Sequence, residues 1–541
     1  MFTSTPPISI DGPSRSETTH HLDTSDVLHM HRVSSCDKRR FYVPYLQLLL
    51  TVCVGRRVTI NILPDDVLLH IFHFDRVIYL NRPKHILQVL HLSWRWHRLI
   101  HVCRRWRSIV FASPNFLDLK LIFGPRTRVG LPGTWPPLPI VIGHNVTWHL
   151  PEDYDFDAAI VHRNRVHEID LRLTRSQFER LASAMEEEFP ALIHLNLTLI
   201  FDDYADSPTP APALPDGFLG GSAPSLQSLT LDSIAFPALP EILLTANGLV
   251  RLTLRNIPHS WYFSHDAIVT ALAVLANLES LTVEFEYTLS LPNPESRRPL
   301  PPNRTVLPAL TYFEFEGVNE YLEDLVARIV APRLQRLNIT FFNQIIFDTP
   351  QFIQFICHTP TLKQLENGHL NFQDRLSAVN FSSRGVNFRG PWIEVGVLCR
   401  AFDWQVSSLE QVCTVSLPPL STLENLYIYE YISGPYRQDN IDNLLWLELL
   451  HPFTTVKNLY LSKEFARHIV PALQERVGGR TTEVLPTLQN IFLEGLEPSA
   501  PIHKDIANFV SARQVTGHHI AVSRWDNSTE DKLPWHLMID K

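Results

Sequence analysis

The 541-residue chain contains little cysteine and no segment typical of secretion or of membrane spanning. Its six cysteines are scattered, without a close pair or a spacing typical of metal ligands, which favours a reduced, intracellular protein. Residues 1–40 are polar and lack the basic and apolar regions of a signal peptide. The apolar stretch 41–54 contains Pro44 and is too short to cross a bilayer. We therefore expect a cytoplasmic or nuclear protein that does not bind a membrane.

The chain also lacks an excess of basic charge and the short motifs of common enzyme classes. A net charge of −9 at pH 7 argues against a nucleic-acid-binding face along the whole chain. We find no phosphate-binding Walker loop, no Gly-x-Ser-x-Gly elbow, no His-Glu-x-x-His and no paired Cys-x-x-Cys. The sequence therefore predicts a protein that is not an enzyme and that holds neither a metal nor a cofactor.

The hydrophobic content is 45%, which excludes general disorder. The length exceeds one ordinary core and predicts either two domains or one long solenoid.

Two apolar segments near the N-terminus are the most informative local feature. Residues 63–72 read Leu-Pro-Asp-Asp-Val-Leu-Leu-His-Ile-Phe, in which Pro64 suits the first helical position and the two aspartates favour a helix N-terminus. Its apolar residues lie on one helical face: Val67, Leu68, Ile71 and Phe72. A second segment predicts another such face: Leu99, Val102, Cys103, Trp106 and Ile109. Two packed helices of any helical domain would also fit this pattern.

In this order, the two segments resemble an F-box, the module that docks a substrate-recruiting protein onto the Skp1 arm of a cullin-type ubiquitin ligase. The resemblance implies a Skp1-like adaptor and, through it, a cullin as partners. It implies adaptor contacts at eight residues: Leu63, Pro64, Leu68, Ile71, Phe72, Val102, Cys103 and Trp106. The chain departs from the family at residues 75–95, an insertion where the family usually has a short acidic turn.

From Val166 onward a unit of the form Leu-x-x-Leu-x-Leu recurs. Ten copies begin at Val166, Leu192, Leu226, Leu249, Leu278, Leu310, Leu334, Leu423, Val456 and Leu488. A copy at Leu362 degenerates at Asn367, and residues 393–397 fit one more strand. The end of each unit alternates like a strand, and helical stretches lie between the units. One strand and one helix in roughly 30 residues is the leucine-rich-repeat pattern.

The predicted fold class is α/β: a small N-terminal helical F-box followed by a leucine-rich-repeat-like solenoid, with a parallel sheet on the concave face and helices on the convex face. We expect a disordered tail over 1–40, an F-box-like domain over 41–123, a connector over 124–165, the solenoid over 166–500 and a C-terminal cap or tail over 501–541. This arrangement resembles the F-box proteins expanded in mushroom-forming fungi. A generic α/β protein with a parallel sheet is the alternative.

Side chains that flank the repeat leucines should point out of the concave face, where solenoids bind partners. Two patches are candidates for binding a protein substrate. The acidic patch comprises Glu284, Glu314 and Glu316. The aromatic patch comprises Tyr427, Tyr429, Tyr460 and Phe492, flanked by Asn425, Asn458 and Asn490. An ordinary strand surface, on which tyrosine is common, is the plain alternative.

These features predict the substrate-recognition subunit of a Skp1–cullin–F-box ubiquitin ligase, with the target held on the concave face. The alternative is a non-catalytic leucine-rich-repeat scaffold whose degenerate F-box only caps the first repeat.

Overall fold

The structure, a computed structural model, describes most of the chain between residues 62 and 525. The described residues are 62–80, 95–123, 137–143, 156, 160–200, 212–236, 239–258, 264–287, 304–342, 347–363, 365–373, 375–383, 390–399, 401–414, 417–430, 442–474, 484–495 and 502–525. These residues form two compact units. The first unit contains the described residues up to 80 and Leu99–Ser113. The second unit contains residues 95–98 and the described residues from Pro114 onward. The predicted tail over 1–40 lies outside the described residues.

The first unit is helical and brings the two N-terminal segments together. Helix α1 (Asp65–Leu80) begins directly after Pro64, and helix α3 (Arg104–Ala112) packs against it. The rings of Phe72 and Trp106 lie 4.7 Å apart. Arg105 Nε donates to Asp65 Oδ1 at 2.8 Å, and its guanidinium also donates to the carbonyl of Leu63. An aromatic contact and one arginine therefore hold together residues that are 40 positions apart in sequence.

The second segment is not one continuous helix, so the predicted face from Leu99 to Ile109 is wrong. Helix α2 (Arg95–Ile100), which spans the sequence boundary between the units, ends before a turn, and α3 starts at Arg104. Cys103 has an extended backbone, and its Sγ accepts from the backbone N–H of Trp106 at 3.4 Å, which caps α3. Arg107 Nε donates to the carbonyl of Ile100 at 2.9 Å, which satisfies the end of α2. Val102 therefore lies in the turn.

The second unit is built on one sheet of 16 strands. Its strands are β1 (Leu121–Phe123), β2 (Ile140–Gly143), β3 (Val166–Leu173), β4 (His194–Leu199), β5 (Ser228–Asp232), β6 (Arg251–Ile257), β7 (Ser280–Phe285), β9 (Tyr312–Gly317), β11 (Arg336–Phe342), β12 (Asn367–Phe372), β13 (Leu376–Ser382), β14 (Trp392–Leu398), β15 (Asn425–Glu430), β16 (Asn458–Leu461), β17 (Asn490–Glu494) and β18 (Ala521–Trp525). Two short strands, β8 (Thr305–Val306) and β10 (Ile329–Val330), pair separately. All ten predicted repeat strands are present and run parallel, which confirms the α/β class with a large parallel sheet.

Within the described residues, nine helices connect these strands: α4 (Arg175–Ala184), α5 (Leu239–Thr245), α6 (His265–Val274), α7 (Asn319–Val326), α8 (Pro350–Cys357), α9 (Phe402–Thr414), α10 (Asn443–Leu450), α11 (Lys463–Gln474) and α12 (Ile502–Val515). From α5 to α8, and again from α9 to α12, consecutive helices pack side by side. The repeat leucines are buried under this layer, and the register pairs them with one another, for example Leu195, Leu229, Leu252 and Leu281. Burial of one leucine side chain stabilises the fold by about 1.5–3 kcal/mol. Because the buried leucines of neighbouring units are register partners, the stacked units share a continuous apolar core.

The sheet order is reversed at one place, where β14, β13 and β12 follow β11 in that order. The chain passes from β11 through α8 to β12, returns by β13 to β14 beside β11, and then continues through α9 to β15 beside β12. Strand β13 is antiparallel to both neighbours, whereas β12 and β14 keep the direction of the repeats. The sequence did not predict β13, because it is buried on both faces and shows no alternation.

The repeat copy predicted to begin at Leu362 is out of phase, because the register places Gly368 and Leu370 opposite Leu426 and Ile428, so the unit begins at Leu365. Gly368 occupies the register position at which other strands carry a repeat leucine, paired with Leu426. A Cβ atom at Gly368 would lie 2.8 Å from Leu423 Cδ2. The side chain of Leu423 therefore fills the space that a leucine at this position would need.

Two predicted boundaries require correction. The sheet begins with β1 and β2, which lie in the ranges predicted as the F-box-like domain (41–123) and the connector (124–165). Both are very short strands, and β2 directly follows prolines, so neither shows the repeat pattern. At the other end, the predicted cap over 501–541 contributes α12 and β18, which add one more helix and strand to the sheet. Strand β18 lacks the repeat leucines and therefore went unrecognised.

Replacing Leu252 by Ala should lower the free energy of unfolding by about 2–5 kcal/mol, because this β6 side chain is fully buried and its loss leaves a cavity. The matched control is Leu244→Ala in α5, where the side chain is 43% exposed and the expected change is within about 0.5 kcal/mol. Urea unfolding followed by circular dichroism measures both. Equal effects of the two substitutions would contradict the described burial of the repeat leucines.

Candidate recognition surface

The sheet has one face covered by helices and an opposite face, which we call the open face. Phe372 in β12 marks the covered face, because its ring contacts Phe402 of α9, Trp446 of α10 and Phe465 of α11. Side chains point alternately to the two faces of a strand, and neighbouring strands lie about 4.8 Å apart. Residues at equivalent positions therefore form rows that run across the open face.

Two such rows contain the predicted patches. The first row follows the register through Thr282, Glu314, Asn338, Glu394, Asn380, His369, Tyr427, Tyr460 and Phe492. The second row follows it through Glu284, Glu316, Thr340, Gly396, Ala378, Asn371 and Tyr429. The register partners Asp232 and Arg255 precede this row, and Arg255 meets Glu284 through an ion pair across an irregularity in the pairing of β6 with β7. The acidic and the aromatic patches, which are far apart in sequence, thus belong to the same pair of rows.

Four stacked rings form the end of the first row, and we call them the aromatic row: His369, Tyr427, Tyr460 and Phe492. Their centroids are separated by 4.6, 4.2 and 4.4 Å, with interplanar angles of 9°, 12° and 8°. Trp525 of β18 lies against this row, 6.0 Å from Tyr427 and 5.7 Å from Tyr460. The structure therefore brings together three of the four predicted aromatic residues and adds His369 and Trp525, which the sequence pattern did not identify.

A ladder of asparagines runs beside the aromatic row on the same strands. Asn425 Nδ2 donates to Asn367 Oδ1 at 2.8 Å, Asn458 Nδ2 to Asn425 Oδ1 at 2.7 Å, and Asn490 Nδ2 to Asn458 Oδ1 at 2.7 Å. Asn425 and Asn458 thus each donate to one neighbouring strand and accept from the other. The ladder fixes the register of β12, β15, β16 and β17, and the register in turn places the four rings above one another.

Tyr429, the remaining predicted aromatic residue, does not belong to an exposed patch. It is only 7% exposed, and its register partner is Asn371 in the second row. Its ring meets the edge of His369 at 6.0 Å. We therefore correct its role from a contact residue to a buried support of the aromatic row.

The three predicted glutamates are neighbours on β7 and β9. Glu284 and Glu316 are register partners. Arg255 Nε donates to Glu284 Oε1 at 3.1 Å. Burial raises the pKa of Glu284 to about 8, against the opposing effect of Arg255, and burial together with Glu314 raises the pKa of Glu316 to about 7. Near neutral pH these carboxyl groups are therefore partly protonated.

Glu314 lies among hydrogen-bond donors, and a fourth glutamate continues the cluster. Glu314 accepts from Tyr312 OH at 2.9 Å, from Asn338 Nδ2 at 2.7 Å and from Thr282 Oγ1 at 3.3 Å. Glu394 follows in the same row, is 4% exposed and accepts from Asn380 Nδ2 at 3.3 Å. We call Glu284, Glu314, Glu316 and Glu394 the acidic group.

Glu394 and the aromatic row meet in the antiparallel insertion. Asn380 lies between Glu394 and His369 in the register and is 1% exposed. Burial raises the pKa of Glu394 well above its usual range and lowers the pKa of His369 to about 4, so His369 is neutral at physiological pH. The repeat pattern did not identify these residues, because Asn380 lies on the unpredicted strand β13, and the strand order that places His369 and Glu394 on either side of it is not encoded in the repeat. The strand predicted over 393–397 is present as part of β14.

The predicted adaptor contacts in the helical unit differ widely in exposure. Leu68 and Phe72 are buried, at 0% and 4% exposure, and belong to the core of this unit. Val102 is 57% exposed and Pro64 is exposed. The remaining four are half-buried: Leu63, Ile71, Cys103 and Trp106. Only the exposed and half-buried members can contact a partner directly.

The open face combines an aromatic row, amides and carboxyl groups. Among the described residues, no group of three His, Cys, Asp or Glu side chains is arranged to hold a metal ion. Within the same part of the chain, no helix is both long and apolar enough to traverse a lipid bilayer. No protein-family model matches the chain, and no curated protein matches it.

The elevated pKa values of Glu284 and Glu316 predict a stability that decreases as the pH rises. A carboxyl group with a raised pKa binds its proton more tightly in the folded state than in the unfolded state. The stability that this proton contributes is complete below about pH 4.5 and is lost as the pH rises through 7 to 8. Replacing both by Gln should therefore raise the free energy of unfolding at pH 8.5 relative to the wild type, by about 1 kcal/mol or more, and change it less at pH 5.

Urea unfolding at the two pH values measures this difference. The control is Glu186→Gln, an exposed carboxylate outside the sheet, which should show the wild-type pH dependence. If the double Gln variant loses as much stability between pH 5 and 8.5 as the wild type does, the two buried carboxyl groups are not the source of the pH dependence.

Proposed function

We propose that this chain is the substrate-recognition subunit of a Skp1–cullin–F-box ubiquitin ligase and acts in the cytoplasm or nucleus. The observation that carries the proposal is the packing of the two F-box-like segments, through the Phe72–Trp106 contact and the hydrogen bonds of Arg105 to Asp65 and Leu63. The subunit would catalyse no step itself. It would hold the target near the ligase.

The proposed adaptor surface consists of the accessible members of the predicted set. Val102 and Pro64 are exposed, and Ile71 and Trp106 are half-buried beside them in the same helical unit. Leu68 and Phe72 support this surface from within. Arg104 is exposed as well and suits an acidic adaptor.

The sheet supports the recognition half of the proposal. Its stacked strand–helix units correspond to a leucine-rich-repeat-like solenoid, in which each unit is stabilised by its neighbours. The open face carries aromatic, amide and acidic side chains over many strands, and aromatic residues dominate the energetics of protein recognition. We assign target binding to this face.

A leucine-rich-repeat scaffold with a degenerate F-box remains the second candidate. The observation that favours it is the burial of Leu68 and Phe72, two of the eight predicted adaptor contacts. In a scaffold these side chains would serve only the packing of the helical unit. The two candidates differ in whether an adaptor binds at all.

Replacing Val102 by Asp should weaken the binding of a recombinant Skp1-type adaptor by about 2 kcal/mol or more, because it places a charge in the centre of the proposed apolar contact. The side chain is 57% exposed, so the fold should tolerate the change. The matched control is Val515→Asp in α12, which is 88% exposed and should leave adaptor binding unchanged. Calorimetry on purified proteins measures both. An adaptor that binds neither the wild type nor the control would favour the scaffold, whereas equal binding of all three forms would contradict the assignment of Val102 to the contact surface.

A further inference from the structure

The chain contains two Asn-Gly pairs, and the fold places them in opposite environments. In an Asn-Gly pair the backbone nitrogen of the glycine can attack the asparagine side chain with little obstruction, because glycine has no Cβ atom. One pair, Asn247–Gly248, lies in the turn between α5 and β6, and the other, Asn367–Gly368, lies in β12. Only the first pair is accessible for this reaction.

The turn at Asn247 leaves both reacting groups without a hydrogen bond. The backbone N–H of Leu249 donates to the carbonyl of Ala246 at 3.0 Å, so Asn247 and Gly248 are the two central residues of a β-turn. The side chain of Asn247 is exposed to water. Among the described residues, neither this side chain nor the N–H of Gly248 has a hydrogen-bond partner. The amide, the attacking nitrogen and solvent water are therefore all available at one exposed turn.

The pair in β12 has the same local sequence but is held by its neighbours. Asn367 Nδ2 donates to the carbonyl of Ser383 at 3.3 Å, and Asn367 Oδ1 accepts from Asn425 Nδ2 at 2.8 Å. Gly368 is buried in a strand that is paired on both sides. The chain therefore contains its own control for the effect of the fold on an Asn-Gly pair.

We propose that Asn247 is a site of spontaneous deamidation, and that its isoaspartyl product disrupts the turn between α5 and β6. The backbone nitrogen of Gly248 attacks Cγ of Asn247, the new N–Cγ bond replaces the Cγ–Nδ2 bond, and ammonia leaves with the amide proton. Water then opens the cyclic imide at either carbonyl, which yields aspartate or isoaspartate. The reaction consumes only water, and it does not depend on the proposed function.

The isoaspartyl product changes the main chain of the turn. Its backbone runs through the former side chain and is longer by one methylene group, and the former backbone carbonyl becomes a free carboxylate. That carbonyl of Asn247 accepts from Asn277 Nδ2 at 3.2 Å, a contact with the following unit. Ala246 and Leu249, which the turn joins, are both fully buried. The additional methylene group therefore strains the turn or displaces one of these core residues.

The turn leads directly into β6, which begins at Arg251. The backbone N–H groups of Val250 and Arg251 both donate to the carbonyl of Gln227, and β6 pairs with β5 from there on. A displaced turn thus acts on the first pairing residues of a repeat strand. We therefore expect the modification to loosen the sheet at β6 in addition to adding a surface charge.

The experiment stores the full-length chain at pH 8.5 and physiological temperature and follows both asparagines by peptide mapping with mass spectrometry. A protein isoaspartyl methyltransferase with labelled S-adenosylmethionine detects the isoaspartyl product. In the folded chain Asn247 should react at least tenfold faster than Asn367. In guanidinium chloride the two should react at similar rates, because the fold no longer separates them. The reaction should be slower at pH 6, because the attacking nitrogen must lose its proton.

Gly248→Ala is the matched variant. A Cβ atom at this position would lie 3.7 Å from its nearest neighbours, and the backbone is not in the left-handed region, so the fold should tolerate alanine. This variant should slow the reaction of Asn247 at least tenfold. Stored wild type should melt at a lower temperature than fresh wild type, whereas stored Gly248→Ala should not. Fresh Asn247→Asp adds the charge without lengthening the backbone and should melt as the wild type does.

Two results would overturn the assignment of the site: equal rates for Asn247 and Asn367 in the folded chain, or an unchanged rate at Asn247 in Gly248→Ala. An unchanged melting temperature of wild-type protein in which isoaspartate has accumulated at Asn247 would overturn the proposed disruption of the turn. Neither measurement involves an adaptor or a target protein, so both are independent of the ligase assignment.

Discussion

The in-register pairing of parallel strands is the constraint on which the rest of the second unit depends. Because the register aligns equivalent positions of successive units, it places the repeat leucines under the helices and the intervening side chains in rows on the open face. The Asn367–Asn425–Asn458–Asn490 ladder enforces this register from the open side. A shift of one residue would move every ring of the aromatic row to the covered face. The hydrogen bonds between the strands therefore determine both the packing of the leucine core and the positions of the side chains on the open face.

The reversed insertion β12–β13–β14 interrupts the regular order of the parallel strands. It places Glu394 and Asn380 beside Glu314 on one side and His369 beside Tyr427 on the other. In an uninterrupted repeat, β11 would be followed directly by the next parallel strand, and the acidic and aromatic parts would not be joined through these buried polar residues. The insertion thus contributes three buried polar atoms that have no hydrogen-bond partner among the described residues: Asn371 Oδ1, Asn380 Oδ1 and His369 Nδ1.

The sequence predicted those parts of the structure that follow a local period. Each Leu-x-x-Leu-x-Leu unit corresponds to a strand, and Tyr427, Tyr460 and Phe492 lie in one row because they occupy the same phase of their units. The failures have non-local causes. Strand β13 is buried on both faces and has no alternation to detect, and Glu394 and His369 acquire their positions from a strand order that no local pattern encodes. Val102 leaves the helical face because Cys103 caps a new helix and Arg107 closes the preceding one.

The acidic group does not favour the stability of the fold. A buried carboxyl group without sufficient donors costs free energy when it ionises, and replacing such groups by apolar or neutral side chains is often stabilising. Many other buried positions of the sheet avoid this cost, because they are apolar. Sites that must accept a partner commonly keep groups that the isolated fold leaves incompletely satisfied, at the expense of stability. Because the cost depends on the ionised fraction, the stability of this part of the sheet is coupled to the protonation of Glu284 and Glu316.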